Sequence, residues 1–288
     1  MIFSLIFNIL FLISQKQVES IDEYLKKWTT SEDYVLVINY KTNEIIYTYN
    51  KYNMDEEIQA GSIFKIVSTY NILKYHPKLE NYNYNCNHKD KINSQNTECW
   101  NKKGHGLTDL KKGLIVSCNQ YFYSLYKFID PKDFFNLGKQ LGLFNNMNYE
   151  SIKDIDKMIP YIYAGNHSIL KANAYELIAF ISLFANGGML FDVKNNRFLY
   201  SVLDTNILNK ISSWLRIVVT KGTGSHSFFK SYGFSGKTGT VIINKKKYNG
   251  IFAGYLTEQP YSVVVKLTNK IGSNAAQIAS DVFYLILK

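Results

Sequence analysis

A chain of 288 residues with 46% hydrophobic and 15% aromatic content describes a globular protein with material for a real core, as one large domain or two interleaved subdomains. The net charge of +10 would suit nucleic acid or an anionic surface, but the lysines are scattered, with short runs only at Lys102-Lys103, Lys111-Lys112 and Lys245-Lys246-Lys247. With abundant Asn, Ile and Tyr this reads as a compositional bias, and neither a nucleic-acid motif nor an internal repeat accompanies it.

Residues 1–13 (MIFSLIFNILFLI) are apolar apart from Ser4 and Asn8. That length fits the apolar core of a signal peptide and is short for a spanning helix. No Lys or Arg precedes the run, and no small-x-small cleavage site stands out in Ser14-Gln15-Lys16-Gln17. The reading is export, with residues 1–20 as a signal peptide or N-terminal membrane anchor and 21–288 as the working domain. A helix is expected around 21–28, then a buried strand over 34–40, a turn at Lys41-Thr42-Asn43 and a hairpin partner over 44–49. The next helix starts at Ser62 and stops near His76-Pro77. Residues 81–97 read as a long polar loop. Thr108 or Asp109 caps a helix running through Val116.

The middle, 121–185, has a helical pattern, and Ala185-Asn186-Gly187-Gly188 ends one helix at a glycine cap. Another helix covers 208–219. Strands return at 236–243, 250–256 and 261–268, linked as a meander by tight turns, and a helix over 275–287 closes the chain. Strands at both ends and helices between them predict an α+β fold. One antiparallel sheet is built from the N- and C-terminal strands and flanked by helices, with a mainly helical subdomain inserted.

The three cysteines leave two options. Cys86 and Cys99 flank a polar loop and would close it as a disulfide in an oxidising compartment. A metal site is the weaker option, since neither Cys86-Asn87-His88 nor the spacing to Cys99 matches a standard zinc pattern, even with His105 nearby. Cys118 reads as a small buried apolar residue.

Chemistry enters with Ser62-Ile63-Phe64-Lys65. Three residues apart on a helix, Ser62 and Lys65 share a face, about 5–6 Å apart at Cβ. An amine there can take a hydroxyl proton, the helix N-terminus favours negative charge on the serine oxygen, and burial lowers a lysine pKa toward neutrality. Ser-x-x-Lys alone is cheap in this chain: it recurs at Ser124/Lys127, Ser168/Lys171 and Ser227/Lys230, where an N-cap serine and a solvated lysine suffice. What lifts Ser62 is Ser117-Cys118-Asn119 and then Lys237-Thr238-Gly239-Thr240 downstream. Ser94-Gln95-Asn96 matches the middle pattern only by coincidence, inside the Asn-rich loop. Gly236 and Gly239 let a ligand approach a strand backbone closely, Lys and Thr hold a carboxylate, and edge-strand N–H groups receive an oxyanion.

Ser-x-x-Lys, Ser-x-Asn and Lys-Thr-Gly in this order resemble the signature of penicillin-binding proteins and serine β-lactamases. Further motifs match the transpeptidase domain of high-molecular-weight penicillin-binding proteins. They are Gly104-His105-Gly106, Ser117-Cys118-Asn119-Gln120-Tyr121-Phe122, Ala185-Asn186-Gly187-Gly188, Gly222-Thr223-Gly224, Gly236-Lys237-Thr238-Gly239-Thr240 and Phe252-Ala253-Gly254-Tyr255. The likeness runs from about residue 34 to the C-terminus. It implies a D,D-transpeptidase or D,D-carboxypeptidase acting on peptidoglycan stem peptides and acylated by β-lactam antibiotics, without cofactor or metal. Ser62 is then the nucleophile, Lys65 its base and Ser117 a proton relay. Asn119 holds the substrate amide, and Lys237, Thr238 and Thr240 engage the terminal carboxylate. The backbone N–H groups of Ser62 and Thr240 form the oxyanion hole, and Gly239 belongs with Asn119, Lys237, Thr238 and Thr240 to the substrate-binding set.

The short stretch before the first strand leaves no room for the large N-terminal module usual in such enzymes, so a cell-wall synthesis protein is an expected partner. The implied location is the periplasm or the outer face of the cytoplasmic membrane, with the N-terminal segment touching the membrane surface. A serine β-lactamase is the runner-up. The class A deacylating Glu-x-x-x-Asn pattern is missing, because Glu150 is followed by Asp154, and the Ser-x-Val of class D is replaced by Ser-Cys-Asn. A non-catalytic β-lactam or peptidoglycan sensor is a third reading.

Overall fold

The computed structural model describes residues 13–288 apart from 148, 203, 228 and 245, so the apolar segment ahead of Ile13 lies outside the described residues. In chain order the elements are α1 (Gln15–Trp28), β1 (Tyr34–Asn39), β2 (Glu44–Tyr49), α2 (Lys65–Tyr75), β3 (Tyr84–Cys86), β4 (Lys89–Ile92), β5 (Gln95–Glu98) and β6 (Gly106–Thr108). There follow α3 (Leu110–Ile115), α4 (Asn119–Ser124), α5 (Pro131–Gln140), α6 (Ile155–Tyr163), α7 (Ala174–Ser182), β7 (Met189–Asp192), β8 (Arg197–Ser201) and α8 (Thr205–Lys221). The chain ends with β9 (Ser235–Ile242), β10 (Tyr248–Tyr255), β11 (Tyr261–Thr268) and α9 (Gly272–Leu287).

The main sheet has the order β2-β1-β11-β10-β9, every neighbour antiparallel, so the first two and last three strands build one layer as the sequence predicts. Both its faces are covered, which is why β1 reads as an unbroken apolar run. Tyr34, Leu36 and Ile38 point into a large core shared with the helical subdomain, whereas Val35 and Val37 point into a second core under α1 and α9. The helix α1 is longer than expected and crosses the anticipated boundary at residue 20. Gln17 Nε2 donates to Ile286 O at 2.7 Å, and Tyr24 Oη donates to Asp281.

The polar stretch 81–97 is not a loop throughout. It carries β3, β4 and β5, with β3 pairing β6 and β4 pairing β5. Three- and four-residue strands of polar sequence have no apolar alternation to reveal them, as the burial of β4 and β5 shows: Ile92 and Thr97 alone are buried. A further hairpin, β7–β8, interrupts the helical middle. Among the described residues no helix is long and apolar enough to cross a membrane.

Candidate active site

Helix α2 runs through the centre of the molecule, and every residue from Lys65 to Leu73 is buried. A helix buried on all sides is a core helix, its Ser68, Thr69 and Asn71 included, and its first residue is drawn into the dry interior with it. Just before it, Gly61–Phe64 forms a single 3₁₀ turn rather than the α-helical start the sequence suggests, and Ser62 sits half-exposed on that turn.

Lys65, fully buried, donates from Nζ to Ser62 Oγ at 2.6 Å, to Asn119 Oδ1 at 2.8 Å and to the carbonyl of Ala164 at 2.7 Å. Those three acceptors match the three donors of an ammonium. The ring of Phe122 lies 5.6 Å from Nζ. Burial lowers the Lys65 pKa to about 7, with the nearby Cys99 and Cys118 thiols pulling it upward. Near neutrality the amine is therefore in part unprotonated, the form that can accept a proton from a neighbouring hydroxyl.

The second wall is the turn between α3 and α4. Asp109, not Thr108, caps α3, accepting from Lys112 N at 2.7 Å. After Val116 the chain turns sharply: Ser117 takes φ +54° and Cys118 N donates back to Gly113 O at 2.9 Å. A left-handed serine is backbone strain of the kind that gathers at functional sites. The turn is buried rather than exposed, because Trp100 lies over it, its indole donating to Ser117 O at 3.0 Å and to Val116 O at 3.2 Å.

The third wall is β9, an edge strand of the main sheet. Lys237 is fully buried and donates to Ser117 Oγ at 3.1 Å and to Thr238 O at 3.0 Å. Burial, and then the charge of Lys65, push its pKa well below that of a free lysine. Thr238 and Thr223 share a hydroxyl–hydroxyl hydrogen bond of 2.5 Å. The Thr240 hydroxyl accepts from Gly272 N at 2.9 Å, which ties it to the start of α9. At Gly239 a Cβ would stand 2.2 Å from the carbonyl of Ala60, so only glycine lets this strand press against the Ser62 turn.

Between the walls lies a cleft of about 650 Å³ lined by Ser62, Ser117, Asn119, Thr238 and Thr240 of the expected set, with Lys65 and Lys237 beneath them. Sequence reasoning had no sign of Ala164, whose contribution is a backbone carbonyl. It also had no role for Trp100, Asn166, Thr223 or His226, which line the same space. Of these only Thr223 stood in a quoted motif, Gly222-Thr223-Gly224.

One further expectation changes, and one reading agrees with the structure. Cys86 and Cys99 do not form a disulfide: all three cysteines are free and buried, and the sulfurs of Cys86 and Cys99 both face the imidazole of His105. Glu150 is exposed on a 3₁₀ turn and does not line the cleft.

These features bring a serine hydroxyl, a buried lysine amine and an edge strand together around one cleft on an α+β scaffold. The model of the penicillin-binding protein transpeptidase domain matches residues 34–288, so the chain belongs to that family. Among solved structures it is similar to the transpeptidase domain of Burkholderia pseudomallei penicillin-binding protein 3, with 18% identity, a TM-score of 0.77, and 96% of this chain and 93% of that one covered. The D,D-transpeptidase domain of a peptidoglycan glycosyltransferase from Eggerthella lenta matches with 15% identity, a TM-score of 0.75, and coverage of 94% and 81%. Penicillin-binding protein 2 of Helicobacter pylori, solved in complex with MreC, matches with 16% identity, a TM-score of 0.77, and coverage of 93% and 62%. No curated protein matches by sequence.

Proposed function

We propose that this transpeptidase-family chain is a serine D,D-transpeptidase or D,D-carboxypeptidase that acts on peptidoglycan stem peptides through an acyl-enzyme on Ser62 and is acylated there by β-lactams. The observation that carries this reading is the fully buried Lys65 with its Nζ 2.6 Å from Ser62 Oγ. Ser62 Oγ attacks the carbonyl carbon of the penultimate D-alanine, and its proton passes to Lys65 Nζ. The new ammonium keeps Asn119 Oδ1 and Ala164 O as acceptors. As the C–N bond breaks, the leaving amine takes a proton from the Ser117 hydroxyl, which Lys237 Nζ restores at 3.1 Å. The Lys237, Thr238 and Thr240 end of β9 receives the terminal carboxylate, and Asn119 the substrate amide. Water or a second stem-peptide amine then attacks the ester and frees Ser62.

No Asp or Glu is among the described residues lining the cleft, and the Lys65 amine is already held by three acceptors. Neither feature favours rapid hydrolysis of a β-lactam adduct, so the adduct is long-lived. The proposed substrate lies outside the cytoplasmic membrane, so the expected location is the periplasm or the outer face of the cytoplasmic membrane, with the apolar residues 1–13 serving export or anchoring. A cell-wall synthesis protein is the expected partner, as MreC is in the Helicobacter pylori complex.

The test is intact mass after mixing with excess benzylpenicillin. Ring opening expels no leaving group, so the adduct gains the whole drug mass. An adduct lasting hours in the wild type and absent from a folded Ser62→Ala variant supports the proposal. An adduct that persists in Ser62→Ala refutes it, and rapid return to free enzyme with hydrolysed drug would make the chain a β-lactamase.

A further inference from the structure

We propose that Cys86, Cys99, His105 and Cys118 form a tetrahedral site for one zinc ion, which positions the Ser117 turn against the small strands beside the cleft. These are all three cysteines of the chain, and they meet one imidazole. Their ligand atoms all lie within 4.8 Å of one another. His105 Nδ1 is 3.4 Å from Cys99 Sγ and 3.7 Å from Cys86 Sγ, and the sulfurs of Cys99 and Cys118 are 4.0 Å apart. Zinc bonds of about 2.3 Å to sulfur and 2.0–2.1 Å to nitrogen give tetrahedral edges of about 3.5–3.8 Å. The three separations lie close to those edges, and the set as a whole, within 4.8 Å, needs to draw in by about 1 Å or less to close on an ion. A disulfide needs sulfurs about 2.05 Å apart and uses only two of the three, leaving the third thiol beside an imidazole.

The donors come from four places: the end of β3, the residue after β5, the residue before β6, and the N-cap of α4. This spread explains why no short zinc pattern shows in the sequence. The backbone is arranged to hold them. His105 N donates to Cys86 O at 3.0 Å and Cys99 N to His88 O at 2.7 Å. Gly104 takes φ +71°, and a Cβ there would stand 2.1 Å from Cys86 O.

Two-stranded pairs of three or four residues are marginal in water, so β3–β6 and β4–β5 need a tie. The ion supplies it and reaches the active site directly, because Cys118 stands between Ser117 and Asn119. The positioning role rests on the proposed serine chemistry; the metal site does not.

The test uses the full chain, reduced, loaded with zinc and gel-filtered. The expected result is one zinc per chain, three thiols protected from a thiol reagent until a strong chelator is added, and loss of zinc in Cys86→Ser and His105→Ala. Should those variants misfold, cobalt loading of the wild type serves instead, with tetrahedral thiolate charge-transfer absorption expected. No retained zinc and no such absorption, or a mass loss of two hydrogens marking a disulfide, overturns the site. For the positioning role, stripping zinc should slow benzylpenicillin acylation about tenfold or more, reversibly on zinc return. It should also change Trp100 emission in a Trp28→Phe, Trp214→Phe background. Unchanged Trp100 emission overturns the positioning role whether or not the chain acylates. Retained zinc in a chain that never acylates would count against the serine reading alone.

Discussion

Acylation of Ser62 should follow one ionisation, that of Lys65. Burial brings this amine from 10.5 to about 7, and only its neutral form can take the serine proton. The neutral fraction is then ~0.1 at pH 6, ~0.5 at pH 7 and ~0.9 at pH 8. The second-order acylation constant should therefore rise about tenfold from pH 6 to pH 8 and level off above. A lysine with an ordinary pKa would give about a hundredfold rise over the same span with no plateau below about pH 10. The assay is a quenched time course of benzylpenicillin adduct by intact mass, at constant ionic strength, from about pH 5.5 to 9. The drug carboxylate stays ionised throughout. A flat profile between pH 6 and 8, or one still climbing tenfold per unit at pH 9, refutes the assignment of Lys65 as base. The same depressed pKa bears on stability. Between pH 7 and 10.5 the unfolded chain holds a proton on this lysine that the folded chain has lost, so stability rises with pH across that window. Below it, Lys65 costs the fold about 5 kcal/mol, a cost that a protein keeps only where the lysine has work to do.

Other substitutions separate chemistry from scaffold. Ser117→Ala removes the hydroxyl that Lys237 contacts at 3.1 Å and should slow acylation by about 10²–10⁴-fold, with thermal stability little changed; near-wild-type rates would exclude Ser117 as the relay. Gly239→Ala places a Cβ against Ala60 O, so β9 and the Ser62 turn must part by a substantial fraction of an ångström, and acylation should fall about 10²-fold. An unchanged rate would mean that the two walls move independently. Asp109→Ala, which removes a helix cap remote from the reacting atoms, should cost about 1 kcal/mol, or about 2–4 °C in Tm, with acylation within about twofold of wild type.

The sheet was legible because β1, β10 and β11 are buried on both faces, and such strands show as unbroken apolar runs between turn residues. The Ser62–Lys65 contact was legible because helical spacing converts three residues of sequence into one face. The cysteine cluster was not, because its ligands converge only through the pairing of β3 with β6 and the turn at Ser117, both set by tertiary contacts. The Ala164 carbonyl is a further case: any residue can supply a carbonyl, so no side-chain pattern marks it. Trp100 illustrates a third kind. Its indole fixes the Ser117 turn from a loop of polar residues, where a tryptophan offers no periodicity to read.

The two buried lysines raise a question of where the proton resides. Burial lowers both amines, and the charge of Lys65 lowers Lys237 further, so the pair does not readily hold two protons. Acylation requires Lys65 neutral and Lys237 charged beside Ser117. A substrate carboxylate arriving at Thr238 supplies the bias. At about 4 Å and an effective dielectric near 20 it favours a charged Lys237 by about 4 kcal/mol, close to three pKa units. Binding the carboxylate thus favours a charged Lys237 beside Ser117 and leaves Lys65 free to act as the base, a bias that a substrate without a carboxylate cannot supply. Benzylpenicillin methyl ester should acylate the wild type about 10²-fold or more slowly than the free acid. Lys237→Met should slow the acid by a similar factor, and acid and ester should then react alike. If the acid keeps its advantage in Lys237→Met, the carboxylate is read elsewhere, and the charge on Lys237 does not govern the reaction.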